Sequence, residues 1–307
     1  MNGNTEKILQ FMAGSDKRFS IPVYQRKYDW RQENCKQLYD DLVKVVKANR
    51  PNHFFGSIVS EFNPDGHGIE RVIIDGQQRL TTVSLILIAM FNLLSKGIIQ
   101  SESAKLKDKL MNEYLLDPWS EGDNHYKLVP VKADRLAYHK LFDDETEHIP
   151  ESNLTINYNY FCDRIQKCEI SVDELYDALG KLLIINLTLN NDDNAQLIFE
   201  SLNSTGKDLT EADKIRNYVL MNKKPVQQQE LYNKFWTKIE NNTGDNLELF
   251  CRDYLSIKTN SIPSFNKIYP AFKEYTEDKE LDGEPLLSDI LEYSKQYKVL
   301  LNVIKIN

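Results

Sequence analysis

The chain has 307 residues and 41% hydrophobic content, enough to bury a sizeable core in one large or two modest domains. Its 38 Lys and Arg against 46 Asp and Glu give a net charge of −8, which argues against a uniformly basic DNA-binding surface. The four cysteines form no CxxC pair, so we expect reduced thiols in a cytoplasmic protein and no zinc. The N-terminus lacks a signal-peptide layout, and the longest apolar run, 83–94, is too short to span a bilayer, so no membrane partner is predicted.

Hydrophobic periodicity predicts an α+β fold, with a small mixed β region near the N-terminus followed by a large, mostly helical region. We expect a short helix at 1–12, a strand at 19–24 and a helix at 34–46. Strands are predicted at 54–62 and 68–74. They flank an Asn-Pro-Asp-Gly turn, so we expect them to pair as a hairpin.

The rest of the chain is predicted to be helical, apart from loops and the alternating segment 182–189, which favours either a strand or a helix end. The predicted helices are 81–96, 102–116, 134–143, 153–168, 171–181, 194–203, 210–221, 227–241, 245–257 and 286–305. The Asn-Lys-Lys-Pro break at residue 222 predicts two domains, 1–222 and a helical extension at 223–307.

The most informative segment is 73–82, IIDGQQRLTT, where a β-branched run ends in Asp-Gly and a long apolar helix follows. A helix N-terminus has unpaired backbone N–H groups and favours anions such as phosphate. Arg79 adds a charged fork suited to phosphate oxygens. Asp75 could hold a metal ion or a reacting water, and Gln77 and Gln78 could orient a base, a sugar or that water. The alternative is an ordinary turn with Arg79 in a surface ion pair.

Two further polar clusters stand out. In 19–30, FSIPVYQRKYDW, aromatics interleave with Gln25 and Arg26 and could clamp a base, or they could simply pack into the core. The second cluster, 199–217, reads as helix, turn, helix, with three polar residues on one helical face at i, i+3 and i+4 spacing. These residues are Asp213, Arg216 and Asn217. Their face is either a solvated ion-pair surface or one wall of a polar site.

Together these motifs, in this order with a Phe-Gly strand at 55–59 between the first two, resemble the N-terminal domain of GmrSD-type modification-dependent restriction endonucleases. The resemblance covers roughly residues 5 to 220. It implies a ParB/sulfiredoxin-like core at about 5–100 and binding and hydrolysis of nucleoside triphosphates in bacterial phage defence. In such systems DNA cutting is largely assigned to a separate HNH-type nuclease domain.

The resemblance also implies which residues handle the nucleotide. The segment from Asp75 to Arg79, including Gly76, matches the family's DGQQR motif, and Gln25 and Arg26 match its YQR element. The downstream helical signature of the family is matched by a set of five residues. That set comprises Asn203, Gly206, Asp213, Arg216 and Asn217.

One departure from the family concerns the nuclease. The five histidines are scattered, none lies beyond residue 148, and no HNH-like arrangement is visible. We therefore expect either a fragment of a longer nuclease or a stand-alone member of the family. An HNH-type domain or subunit and modified DNA are the expected partners, and a homo-oligomer is left open.

The resulting hypothesis is phosphoanhydride hydrolysis without P-loop chemistry, because no GxxxxGK[ST] motif occurs. In it Arg79 and Arg26 bind phosphates, and Asp75 coordinates Mg²⁺ or positions the attacking water. Gln77 or Gln78 orients that water or the nucleotide, and Gln25 completes the wall. The alternative is a sensor of modified DNA that a nucleotide only gates. Cleavage by this domain itself is the weakest reading, since no two-metal carboxylate cluster is evident.

Overall fold

The computed structural model describes residues 1–14, 16–63, 68–190, 192–203, 209–221 and 223–304. The chain forms two compact units. The first comprises Met1–Pro22 and Arg26–Asp193, and the second comprises Val23–Gln25 and Asn194–Asn307. The predicted domain boundary near 222 stays a prediction, and Asn222 itself lies outside the described residues.

A six-stranded mixed sheet forms the centre of the first unit, in the order β1-β6-β3-β4-β2-β5. The strands are β1 (Asn2–Lys7), β2 (Lys17–Ser20), β3 (His53–Phe62), β4 (Ile69–Asp75), β5 (Leu128–Val129) and β6 (Leu182–Leu189). The β3–β4 and β1–β6 pairs are antiparallel, whereas β2 runs parallel to β4 and β3 runs parallel to β6. This arrangement confirms the α+β class and the antiparallel pairing of the two predicted strands, and residues 64–67 of the predicted turn lie outside the described residues. A ParB/sulfiredoxin-like core stays a prediction.

The N-terminus differs from the prediction. Residues 1–12 were expected to be one helix, but residues 2–7 form β1 and only Ile8–Met12 is helical (α1). The sequence NGNTEK contains residues with low helix propensity, and β6 supplies an antiparallel partner along its whole length. The strand expected at 19–24 ends at Ser20, just before Pro22, which has no N–H to donate to a ladder.

Helices cover the sheet of the first unit. They are α2 (Gln32–Lys47), α3 (Gln77–Ser95), α4 (Leu106–Lys109, continued by a π-helical turn at Leu110–Leu115), α5 (Lys132–Lys140), α6 (Asn153–Gln166) and α7 (Val172–Leu179). α3 is the core helix: it packs against α6, and most of its side chains are buried. Segment 182–189, left open by the sequence, is the strand β6.

α3 is long and apolar enough to cross a membrane, with a mean hydropathy of 1.3 over an 18-residue window. However, 72% of that window is buried inside the structure. A helix so enclosed is typical of the core of a soluble domain, because a helix that is apolar on all sides must be covered by protein or by lipid.

In the second unit the described residues outside the 23–25 segment are helical or irregular. The helices are α8 (Ala195–Asn203), α9 (Glu211–Leu220), α10 (Pro225–Leu231), α11 (Thr237–Thr243), α12 (Leu247–Thr259), α13 (Ile268–Asp278) and α14 (Gly283–Ile304). A π-helical turn, Tyr232–Trp236, joins α10 to α11. Helix α13 was not predicted from the sequence, and it packs against α9 and α12.

Candidate functional site

The segment 75–79, here called the 75–79 junction, is a strand–turn–helix unit. Asp75 ends β4, and Gly76 is the N-cap of α3 with φ of +91°. A Cβ at Gly76 would lie 2.8 Å from the carbonyl oxygen of Ser57, so glycine is required both by its φ and by space. The first helical bond joins the N–H of Leu80 to the Gly76 carbonyl. No described side chain caps this end, so the amides of 77–79 present a partial positive charge.

Arg79 lies at the centre of the junction. One Nη donates to the Ser57 carbonyl at 2.6 Å and to the Asp75 carboxylate at 3.0 Å. The Nε group is buried and donates to no described residue. Gly56, with φ of +125°, lies against the guanidinium, since a Cβ there would be 3.2 Å from three Arg79 atoms. Arg79 therefore forms an ion pair with Asp75, as the alternative interpretation of the sequence predicted. The pair does not engage the Nε of the guanidinium.

Gln77 and Arg26 approach each other at the same helix end. Gln77 is 6% exposed, and its Nε2 donates to the Arg26 carbonyl at 3.4 Å. Its Oε1 is buried and accepts no hydrogen bond from the described part of the chain. Arg26 lies 3.8 Å from the Asp29 carboxylate. The junction thus holds the Arg79 guanidinium and a buried acceptor that has no partner among the described residues, and the backbone of Arg26 contacts Gln77 there.

The amide of Gln78 is engaged with the chain at residues 26–31, here called the 26–31 loop. Its Oε1 accepts from the backbone N–H groups of Asp29 at 2.8 Å and Trp30 at 3.3 Å. Its Nε2 donates to the Lys27 carbonyl at 3.2 Å. These three bonds fix the loop beside the helix end. The catalytic role assigned to Gln78 stays a prediction.

Sequence reasoning missed the residues that fix the other side of this loop. Asp134 accepts from the N–H of Tyr28 at 2.5 Å, and Asn157 donates to the Trp30 carbonyl at 2.9 Å. The Tyr28 hydroxyl lies 2.8 Å from Thr82 Oγ1, and burial raises the pKa of this phenol well above its ordinary value. Because Tyr28 packs into the core, its ring is not available to stack on a base. No local motif marks Asp134 or Asn157.

The downstream predicted residues belong to the second unit, as does Gln25, which is buried. Arg216 donates to the Tyr24 carbonyl at 2.7 Å, to Asp213 at 2.6 Å and to Glu240 at 3.1 Å. Arg216 is buried and Asp213 is partly buried, so this face is not a solvated ion-pair surface.

The other predicted residues of the downstream signature divide between described and undescribed positions. Asn217 is also buried, and its Oδ1 accepts nothing from the described residues. Gly206 and the side chain of Asn203 lie outside the described residues.

The geometry of the junction suits an anion more readily than a metal cluster. No three His, Cys, Asp or Glu side chains come together among the described residues. Asp75 is a single carboxylate that shares one oxygen with Arg79. Mg²⁺ commonly uses one or two protein carboxylates together with substrate phosphates, so this arrangement fits it only in the company of a polyphosphate.

Comparison with known proteins identifies the family of the chain. None of the curated proteins matches the chain. A family model described as the GmrSD restriction endonuclease N-terminal domain matches residues 8–220, which is more than half of the 307 residues. That range includes the whole 75–79 junction, the 26–31 loop and α9. The chain therefore belongs to the GmrSD restriction endonuclease N-terminal domain family.

Proposed function

We propose that this domain binds and hydrolyses nucleoside triphosphates at the 75–79 junction. One observation carries the proposal: at one strand–helix turn the helix end has no described side-chain cap, and the buried Nε of Arg79 and the buried Oε1 of Gln77 have no hydrogen-bond partner among the described residues. Buried polar groups without partners are costly in a folded protein unless a ligand or water satisfies them. A polyphosphate with its bound water supplies both an acceptor for the guanidinium and a donor for the amide.

The residues divide the work in the following way. The amides of the first turn of α3 and the guanidinium of Arg79 bind phosphate oxygens and stabilise the charge that develops during transfer. Arg26 adds a second cation from the loop. Asp75 orients the attacking water or holds Mg²⁺, and a bound Mg²⁺ would supply further neutralisation of the phosphates. Gln77 orients the water through its free Oε1.

The biological setting follows from the family. We propose that nucleotide turnover in this domain serves a bacterial phage-defence system that restricts modified DNA, with cutting performed by an HNH-type nuclease domain or subunit. The net charge of −8 agrees with a role in which this domain is not the main DNA-binding surface.

The test is turnover of ATP, GTP, CTP and UTP with Mg²⁺ by the purified protein. Arg79→Ala and Asp75→Ala should each lower kcat/KM by about 100-fold or more, the size typical of losing one transition-state contact. Arg50→Ala is the matched control, because Arg50 is an exposed arginine of the same unit. Its activity should equal that of the unmodified protein.

Two outcomes contradict the proposal. Equal turnover in all four proteins removes the junction from catalysis. No turnover of any nucleotide, combined with tight binding to modified duplexes that weakens steeply with salt, favours the DNA sensor instead.

A further inference from the structure

The 26–31 loop carries Arg26 to the proposed site, yet it has no regular secondary structure. An irregular loop holds a side chain in place only if its backbone polar groups are bonded to something rigid. In this loop six backbone groups of residues 27–30 are bonded by side chains of α3, α5 and α6. The bonds are Gln78 to the Lys27 carbonyl and to the Asp29 and Trp30 amides, Asp134 to the Tyr28 amide, Asn153 to the Tyr28 carbonyl, and Asn157 to the Trp30 carbonyl.

We infer that Asp134 is a positioning residue of the proposed nucleotide site, acting through the Tyr28 amide on the loop that presents Arg26. The inference rests on the proposed function and extends it to a residue outside the family's motifs. Asp134 supplies the only carboxylate among the side chains described as bonding the backbone of residues 27–30. A hydrogen bond to a charged acceptor is roughly twice as strong as a neutral one.

The position of Asp134 explains how a carboxylate can serve this purpose. It lies in the first turn of α5, where the helix dipole favours negative charge. The side chain is 8% exposed, so its bond to Tyr28 at 2.5 Å is shielded from water. Asn157 donates to both the Trp30 carbonyl and the Tyr28 hydroxyl, and so holds the part of the loop that follows Tyr28.

Burial also makes this anchor sensitive to pH. Burial raises the pKa of Asp134 to about 6, while the Tyr28 amide and the charge of Lys27 act in the opposite direction. Lys27, on the loop, is the charged group that acts on this carboxylate among the described residues. Above pH 6 the anchor is an anion. Below pH 6 it becomes a neutral carboxyl, and its bond to the loop weakens.

Protonation of Asp134 weakens its bond to the loop, but it has the opposite effect on the free energy of unfolding of the domain. A folded pKa raised above the unfolded value of 3.8 means that the native state binds the proton more tightly. The contribution of this group to the free energy of unfolding therefore rises as the pH falls from about 6 towards 4. Loss of loop order near pH 6 should thus occur without loss of the fold.

The first measurement is amide hydrogen exchange at Tyr28, Asp29 and Trp30, which needs no nucleotide. Asp134→Ala should raise exchange at Tyr28 at least tenfold and open trypsin sites after Arg26 and Lys27. Asp134→Asn keeps a neutral acceptor, as the protonated carboxyl does, and should give intermediate protection that does not change between pH 5 and 8. Asp108→Ala, an exposed aspartate of the same unit, is the control and should change nothing.

The second measurement is the pH profile of nucleotide turnover between pH 5 and 8. As the pH falls, the turnover rate of the unmodified protein should decrease with a midpoint near pH 6. The turnover rate of Asp134→Asn should show no such decrease near pH 6. Asp134→Ala should raise KM about tenfold, because Arg26 is less often in place.

The outcomes separate this inference from the proposed function. Unchanged exchange at Tyr28 in Asp134→Ala overturns the positioning role, whatever the turnover shows. If Asp134→Ala does not fold, Asp134→Asn decides. Its protection at Tyr28 should equal, at every pH, that of the unmodified chain below pH 6, and protection as high as that of the unmodified chain at pH 8 overturns the positioning role. An acid step that persists in Asp134→Asn overturns the pH switch. Absence of turnover in every protein overturns the proposed function and, with it, the assignment of the loop to a nucleotide site.

Discussion

Two arginines of the predicted motifs, Arg79 and Arg216, lie in different environments. Arg216 is 9% exposed and is bonded by two carboxylates and a carbonyl. Arg79 is 26% exposed, has one carboxylate partner, and keeps a buried Nε that donates to no described residue. A guanidinium that is bonded through each of its three nitrogens, like that of Arg216, holds the structure together, whereas one with a buried nitrogen left over can bind a ligand.

The helix ends that precede these arginines differ in the same way. Thr210 caps α9, and its hydroxyl accepts from the Asp213 amide at 3.1 Å. The N-cap of α3 is Gly76, which has no side chain to offer. The start of α9 is capped by its own sequence, whereas the start of α3 has no side-chain cap among the described residues, as the proposed anion site requires.

The largest expected effect is on Arg216. Arg216→Ala removes the partner of Asp213 and Glu240 and should lower the free energy of unfolding by about 3–5 kcal/mol, since breaking a buried pair leaves a charge uncompensated. Urea denaturation followed by fluorescence and circular dichroism measures it. A loss below about 1 kcal/mol would show that the two arginines are equivalent and would break the comparison.

The next effect concerns the backbone at the junction. Gly76→Ala should cost about 2–3 kcal/mol, because its φ of +91° is strained for alanine and Ser57 leaves no room. Gly97→Ala is the matched control, with φ of +67° and nothing within 4 Å of the added Cβ. It should cost about 1 kcal/mol from strain alone. Equal midpoints in urea for the two variants would mean that the close approach to Ser57 is not important.

A smaller effect is expected at the cap of α9. Thr210→Ala should lower the free energy of unfolding by about 1 kcal/mol, the usual value for a lost N-cap. Thr210→Ser keeps the hydroxyl and should behave like the unmodified protein. Thermal unfolding of the three proteins compares them, and an unaffected Thr210→Ala would remove the contrast between the two helix ends.

The smallest effect on stability is expected at Arg79. Its pair with Asp75 is partly exposed, so Arg79→Lys should change the free energy of unfolding by less than about 1 kcal/mol. The same variant should reduce nucleotide turnover strongly, because lysine cannot offer a planar fork. Measuring both quantities on one preparation sharpens the comparison. A large stability loss would place Arg79 with Arg216.

The sequence predicts local structure well where the pattern is local. The antiparallel pair β3–β4 follows from the runs at 54–62 and 68–74. The helix predicted at 81–96 is found as α3, which begins four residues earlier, at Gln77. Residues 2–7 were wrongly predicted as helix, because their partner, β6, lies about 180 residues further along the chain. Pairing over such a separation has no signature within a short window.

The candidate site divides along the same line. The sequence alone predicts that Asp75, Gln77 and Arg79 lie near one another, since they are close along the chain. The sequence does not predict the hydrogen bonds that hold the 26–31 loop, because Asp134 and Asn157 lie more than 100 residues from Tyr28 and belong to helices with no motif. The sequence also does not predict which N–H groups of Arg79 and Arg216 are bonded, because their acceptors include carbonyl groups far along the chain.

The pairing of β1 with β6 has a consequence for biosynthesis. β1 leaves the ribosome well before its partner β6, which is complete only once residue 189 has been made. At translation speeds of about 5–20 residues per second, β1 waits for roughly ten to forty seconds. During that interval it exposes Asn-Gly-Asn-Thr-Glu-Lys, a polar strand with few features that favour aggregation. An apolar strand in this position would make the nascent chain prone to aggregation.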